Sequence, residues 1–401
     1  MINTFALLLP VFLLIVFIEW YVSNKKQDKK YNTGNIMMNL TIGAIDQIGS
    51  LFYFVCLYVV LDYVYVHYSI INMHNAWYQW VLAYIVVDFV SYWYHRWSHR
   101  INILWAGHVT HHSSELYNLS NGFRTSLFQG LNRILFWAIM PIFGFSPLVL
   151  VITLKVSGLY DFLVHTQYIN KLGFLEKFLI TPSLHRVHHG KNDIYIDKNY
   201  GSTFLIWDQL FGTYQPETEK VQYGVKGTYI DNNPIKAIGY YYVYLFKTIN
   251  KTKAWGDKIK LLIMPPEWKP VQIVEDEKQH DISIPPLKNW FKKYAALQMV
   301  VCVIGIIVLL TFKNFLHTWE FVVCAAIAIV NMANATMLYN KNYSNSFINN
   351  ETYRITIEAI LLLAIIAAYT NFYLLLALFI LIINVAFLYY KKQNSNIHVY
   401  S

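Results

Sequence analysis

Charge is scarce in this chain. Lysine, arginine, aspartate and glutamate together supply 14% of its 401 residues, against about a quarter in soluble globular domains, which argues against a soluble protein. Cysteine is scarcer still. Cys56, Cys302 and Cys324 fall inside apolar runs without paired spacing, which excludes a disulfide framework, a thiolate metal site and a cysteine-held iron–sulfur cluster. They read as small packing residues. Nor does any G-x-G-x-x-G follow a strand pattern to cradle a flavin or nicotinamide. A zinc protease helix of the HExxH kind is missing too, because Arg96, Val109 and Arg186 follow His95, His108 and His185 where a general-base glutamate would stand. There is no repeat of fixed period and no low-complexity tract. The net charge of +9 comes without a basic stripe interleaved with exposed aromatics on a soluble domain, so nucleic acid is a poor partner.

What the chain has instead is hydrophobic length. Apolar residues make 56% of it and aromatics 17%, gathered in runs long enough, or nearly so, to cross ~30 Å of hydrocarbon. The runs are Phe5–Val22, Leu40–Leu61, Trp77–Trp93, a pair at Phe128–Phe145 and Ser146–Val164 broken near Pro147, then Ala296–Phe312, Trp319–Leu338, Ile355–Thr370 and Phe372–Tyr390. The expectation is an all-α, polytopic membrane bundle of nine crossings. The first run lacks a basic leader and a small-residue cleavage site, so it reads as an uncleaved anchor. Lys25, Lys26, Lys29 and Lys30 follow it, and Lys391 and Lys392 follow the last run. Positive charge stays in the cytoplasm, which sets Met1 outside and Ser401 inside; the remaining basic excess suits anionic headgroups. By composition the chain divides into a histidine-bearing part over 1–230, with its core at about 80–215, a cytosolic connecting segment over 231–295, and a four-span block over 296–401.

Nine of the fourteen histidines lie between His95 and His189. Eight of them form three spacings, His95-x3-His99, His108-x2-His111-His112 and His185-x2-His188-His189. Positions i, i+3 and i+4 share a helix face, so each cluster is expected to aim its imidazoles at one point. A single histidine is most often a polar residue without a metal, whereas three such clusters in one window point to metal. Eight nitrogens supply two ions with about four ligands each and leave positions open. All-imidazole ligation suits zinc, copper, iron or nickel. A structural zinc site is closed by four ligands, usually with cysteine, so the excess favours two irons with vacancies that reduce dioxygen. A transporter would place its ligands midway along the spans, whereas these all fall at one membrane face, on the cytoplasmic side.

The boxes and their flanks resemble the fatty acid hydroxylase/sterol desaturase superfamily of integral-membrane diiron oxygenases. The resemblance rests on Asp88-Phe-Val-Ser-Tyr-Trp-Tyr-His95-Arg96, on Asn102-Ile-Leu-Trp-Ala-Gly-His108-Val-Thr-His111-His112-Ser-Ser-Glu115 running to Tyr117-Asn118-Leu-Ser, and on Thr181-Pro-Ser-Leu-His185-Arg-Val-His188-His189-Gly. Ile196-Asp197-Lys-Asn-Tyr-Gly, Trp207-Asp208 and Phe211-Gly-Thr extend it, so that it covers about residues 40–215. Residues 102–118 are especially similar to the superfamily's ether-lipid-cleaving branch. The resemblance implies a membrane lipid as substrate, dioxygen as co-substrate, two iron ions, and an external electron donor such as tetrahydrobiopterin, a ferredoxin or a cytochrome. It also adds His165 to the metal ligands, giving His95, His99, His108, His111, His112, His165, His185, His188 and His189. The implied reaction is hydroxylation beside the ether oxygen of an alkyl-glycerol lipid, followed by cleavage. Hydroxylation or desaturation of a fatty acyl, sterol or isoprenoid lipid is the alternative. Three positions depart from that branch: Arg100 and Gln167 replace acidic residues, and Leu184 replaces a histidine.

Four acids are candidates for accepting the second N–H of an imidazole: Asp88, Glu115, Asp161 and Asp208. Each could instead cap a helix or pair with a cation. Arg96 and Arg186, inside the boxes, either neutralise such acids, bind lipid phosphate or snorkel to the interface.

Overall fold

The computed structural model describes residues 4–71, 73, 76–226, 233–270, 289–340 and 354. Among these it is helical, with no named strand and only two isolated bridges, Leu179 with Phe204 and Gly190 with Tyr223. In chain order the helices begin with α1 (Thr4–Lys26), α2 (Thr33–Tyr68), α3 (Trp77–Arg100), α4 (Asn102–His112), α5 (Leu127–Trp137) and α6 (Pro147–Leu163). They continue with α7 (Pro182–His188), α8 (Ile206–Leu210), α9 (Pro234–Lys251), α10 (Trp255–Ile263), α11 (Asn289–Thr311) and α12 (Thr318–Asn340).

The chain divides into two compact units, one of residues 15–231 and 235–279, the other of residues 1–14, 232–234 and 280–401. In the second unit α11 and α12 pack side by side, with Gln298 donating to Asn331 at 2.8 Å between them. The first unit holds all nine clustered histidines.

Four helical stretches are long and apolar enough to cross a bilayer: Leu8–Lys26, Thr33–Tyr68, Lys292–Thr311 and Thr318–Tyr339. The protein is a multi-pass membrane protein. The two expected spans at Ile355–Thr370 and Phe372–Tyr390 lie outside the described residues. α2, with 36 residues, is about 54 Å long, well beyond the hydrocarbon thickness. Its two halves differ accordingly. The first, capped by Asn32, buries Asn39, which donates to Ser120 and Asn121. The second exposes Phe52, Val55, Val59 and Val66.

The pair broken at Pro147 is present, but its helices are short. α5 has 11 residues and α6 has 17, about 16 and 26 Å, both shorter than ~30 Å of hydrocarbon. Ser126 caps α5, Ser146 caps α6, and Pro147 occupies the first turn of α6, where a missing N–H costs nothing. Gly144 turns the chain between them at φ +86°, a left-handed conformation that favours glycine. Leu57, Leu61, Val87, Trp137, Met140 and Leu150 close a core between α2, α3, α5 and α6.

α9 and α10 had no counterpart in the hydrophobic runs. α9 packs Ala237 and Ile238 on Met38 and Ile42 of α2, and Tyr241 and Leu245 on Ala106 and Val109 of α4. α10 accepts a bond from Asn102, the first residue of α4, at the Leu261 carbonyl. These helices back the histidine-bearing α4.

Candidate metal centre

Three helices and one helix end bring the histidines together. α3 carries His95 and His99 in its last turns, α4 carries His108, His111 and His112, α7 carries His185 and His188 with His189 at its C-cap, and His165 follows α6. The nine form two groups. His95, His99, His108, His112 and His188 make one; His111, His165, His185 and His189 make the other. Within each group one nitrogen per ring lies within 4.8 Å of all the others.

The grouping bears out a single target for His95 and His99 and corrects that expectation for the other two boxes. His108 and His112, four apart, join the first group while His111 between them joins the second. His185 and His189, also four apart, belong to the second and His188 to the first. Each residue advances 100° around a helix, so i and i+4 share a side and i+3 is rotated off it. The x2-His-His spacing therefore serves two sites at once.

The nitrogens facing one another are Nε2 atoms. His108 stands 3.1 Å from His95 and 3.0 Å from His112, and His112 stands 3.2 Å from both His99 and His188. In the second group His165 is 3.3 Å from His111 and 3.2 Å from His185, which is 3.2 Å from His189. Four of the outer nitrogens are tied to carbonyls: His95 Nδ1 to Tyr200 at 2.9 Å, His111 to Arg124 at 3.2 Å, His165 to Asp161 at 2.6 Å and His188 to Lys198 at 2.9 Å, while His108 Nδ1 and His185 Nδ1 are buried without a partner. A carbonyl only accepts, so the four tied rings carry their proton on Nδ1 and turn a bare Nε2 lone pair inward. Lone pairs at such separations repel unless a cation lies between them. Two nitrogens each about 2.1 Å from one ion stand roughly 3.0–3.4 Å apart at octahedral to tetrahedral angles, which is the spacing seen. The donor set fits a metal ion in each group.

Burial keeps the rings neutral. His108, His111, His112, His185, His188 and His189 are held well below the ordinary imidazole value, first by burial and then mainly by neighbouring histidines. Burial brings His165 down to about 4.

None of the four candidate acids bonds an imidazole through its carboxylate. Asp161 reaches His165 through its main-chain carbonyl, while its side chain takes a bond from Ser202 at 2.6 Å. Asp88 accepts from the Thr203 and Phe204 amides and the Trp207 indole. Asp208 accepts from the Tyr200 and Gly201 amides and from Thr213. Both thus hold the 200–207 loop, whose Tyr200 carbonyl receives His95. Glu115 lines a polar cleft of about 700 Å³ that also reaches Tyr117 and Arg186. Tyr117 stacks on His165 with ring centres 5.6 Å apart. Arg186 pairs with Glu217 at 2.7 Å and also donates to the Thr166 and Ile169 carbonyls. Arg96 donates to Tyr92.

The acid that does face an imidazole is Asp197, with one oxygen 3.7 Å from His99 Nδ1 and the other 2.6 Å from Arg100. Burial alone would raise its carboxyl; His99 and Arg100 hold it at about 2. Asp197 sits at φ +59° and Asn199 at +53°, uncommon for residues other than glycine. Arg100 also meets Glu267 at 2.9 Å, so the arginine that replaces an acid in the ether-cleaving branch is matched by two carboxylates. Gln167, the other replacement, donates to the Tyr117 carbonyl at 2.5 Å.

Residues 80–213, which contain every one of these histidines, match the fatty acid hydroxylase family model. That segment is similar to a fatty acid hydroxylase domain. The chain is similar to alkylglycerol monooxygenase of Homo sapiens, 36% identical over 264 residues, which is 65% of this chain and 58% of that protein. It is 39% identical over 237 residues to alkylglycerol monooxygenase of Xenopus tropicalis, covering 55% of this chain and 53% of the relative. A shorter match, 32% over 160 residues, joins it to ornithine lipid hydroxylase OlsE of Rhizobium tropici, with 37% of this chain and 46% of that protein covered. The chain thus spans little more than half the length of these alkylglycerol monooxygenases. No solved structure matches it.

Proposed function

We propose that this protein is a membrane-bound, iron-dependent monooxygenase that hydroxylates an alkyl-glycerol ether lipid on the carbon next to the ether oxygen. The single observation behind the reading is the pair of converging imidazole groups inside a segment similar to a fatty acid hydroxylase domain. The similarity to alkylglycerol monooxygenase over more than half the chain supports the substrate. Two iron ions, held by the groups of five and four histidines, supply dioxygen activation.

The reaction consumes one dioxygen, two electrons and two protons, places one oxygen atom on the lipid and releases the other as water. The resulting hemiacetal collapses to an aldehyde and the free glycerol. Nothing in the sequence stores the two electrons, so an external donor brings them, a pterin or a carrier protein such as a ferredoxin or cytochrome. The chain's own part is positional. Carbonyls of Tyr200, Arg124, Asp161 and Lys198 fix the tautomers of four rings, and burial disfavours protonation of the imidazoles. Asp197 orients His99 and offsets the charge of Arg100. The histidine face is assigned to the cytoplasmic side, with 1–230 as the catalytic part.

The match to an ornithine lipid hydroxylase supports a second reading, hydroxylation of another polar lipid. Comparative lipidomics of a deletion strain and its complemented parent, grown in air, separates the two. Intact alkyl-glycerol lipids that accumulate in the deletion support ether cleavage. Unchanged ether lipids with loss of a hydroxylated lipid move the protein to the second reading. Turnover by purified protein under strict anaerobiosis rules out both.

A further inference from the structure

The segment that leads into α7 and the short α8 share an apolar surface that the metal centre does not use. Leu179 and Phe204 form an antiparallel bridge, with the Leu205 amide donating to the Phe178 carbonyl at 2.8 Å and the Ile180 amide to the Thr203 carbonyl at 2.9 Å. Around this pair Leu172, Phe174, Leu175, Phe178, Ile206 and Leu210 are all exposed, Phe174 by 68%, Phe178 by 54% and Leu210 by 64%. Large apolar side chains gathered in the open mark a surface made for a partner.

The contacts of this element fix its depth. Leu57 and Leu61, inside the apolar stretch Thr33–Tyr68, share a core with Ala83 and Val87 of α3. Phe204 meets the Tyr84 ring of α3 at 5.9 Å between centres, and Trp207 meets Phe89 at 4.9 Å. Phe89 stands ten residues before His99, about 15 Å back along α3. The element is therefore level with the part of α2 whose Val55 and Val59 are exposed, and away from the histidine-bearing end of α3. Charge agrees with that depth. Glu176, the one acid among residues 169–178, folds back to accept from the Leu172 amide and the Thr181 hydroxyl, each at 3.0 Å, and from Ser183. Asp208 of α8 is buried. Lys171 and Lys177 are left outside, with Lys177 Nζ 5.8 Å from the Phe174 ring centre. Aromatic and aliphatic side chains beside long basic ones, with every acid turned inward, suit a lipid interface in which the basic heads reach the phosphates.

We infer that residues 172–178 and α8 form a foot set into the acyl layer of one leaflet, a lipid contact separate from the spanning helices. Its partner is the bilayer itself. Ile180 is followed within two residues by Pro182, the first residue of α7, so the foot ties the segment carrying His185, His188 and His189 to the membrane. The foot requires only that the chain spans a bilayer, and no particular reaction.

Nitroxide labelling of the full chain in nanodiscs of phosphatidylcholine and phosphatidylglycerol tests it. Cys56, Cys302 and Cys324 are replaced by alanine, and a nitroxide is attached at Phe174→Cys or Leu210→Cys, with Val59→Cys and Glu219→Cys as references for lipid and for water. Oxygen concentrates in hydrocarbon, whereas nickel ethylenediaminediacetate stays in water. Labels in place of Phe174 and Leu210 are expected to collide with oxygen more than with the nickel complex, as at Val59 and opposite to Glu219. Collision mainly with the nickel complex overturns the inference and places this surface in water. Shielding from both reagents overturns it as well, and assigns the surface to another part of this chain or to a second copy. Metal content and melting, measured in parallel, identify a label that disturbs the fold, in which case Phe178→Cys and Ile206→Cys decide between the same outcomes.

Discussion

At the residue scale the centre depends on groups that never touch the inward-facing nitrogens. Asp197 is the clearest. Asp197→Asn keeps the shape but removes the charge facing His99 and Arg100, and outer-shell changes of this kind weaken metal retention by roughly 10–100-fold. Competition with a chelator, compared between the two proteins, reads this directly; equal retention would assign Asp197 to the Arg100 pair alone. The titration of His165 gives a second prediction. Its value in the fold, about 4, lies below the ordinary 6.5, so the unfolded chain takes up a proton that the folded ring refuses. The metal-free protein therefore holds its full His165 contribution above 6.5 and loses it as the pH falls from 6.5 towards 4. Thermal melting of metal-free protein across that window is expected to drop on the acid side. All nine histidines were legible from spacing and resemblance. Asp197 was not singled out, although it stood within a quoted motif, because its role depends on a left-handed turn that brings residue 197 back to α3.

At the scale of elements the critical contact is that of α4 on α5. A Cβ built at Gly107 would lie 2.9 Å from Asn132 Nδ2 and 3.4 Å from the Gln129 amide, so α4 approaches α5 closely beside its first histidine. Gly107→Leu is expected to force the helices apart at a cost of about 1–3 kcal/mol and to lower metal content. Melting and metal analysis of the same preparation check both, and a variant that melts and binds as before would show that the contact yields easily. The long apolar runs marked α1, α2, α11 and α12 in the sequence because hydropathy over twenty residues is a strong signal. The 127–163 hairpin was recognisable from Pro147, but its shortness was not, since composition does not reveal where helix gives way to the turn at Gly144. α9 and α10 escaped notice because the uncharged stretch of α9, Ala237–Phe246, is too short to signal a crossing and α10 mixes aspartate and lysines with its aliphatic residues.

At the scale of the whole molecule the assignment joins topology to chemistry. If the histidine face is cytoplasmic, a cysteine placed at Lys29 or Glu219, in a chain whose own three cysteines are replaced, should react with a membrane-impermeant maleimide in inside-out vesicles and not in intact cells. The opposite pattern would invert the orientation without disturbing the site. The division of labour between the two histidine groups is tested most directly by metal analysis of protein purified without oxygen. Close to two transition-metal ions per chain are expected, falling to about one when His99→Ala opens the group of five or His185→Ala opens the group of four. A ratio near two that survives in both variants, or a ratio near zero in the unsubstituted protein, would contradict the existence of two imidazole-held metal sites.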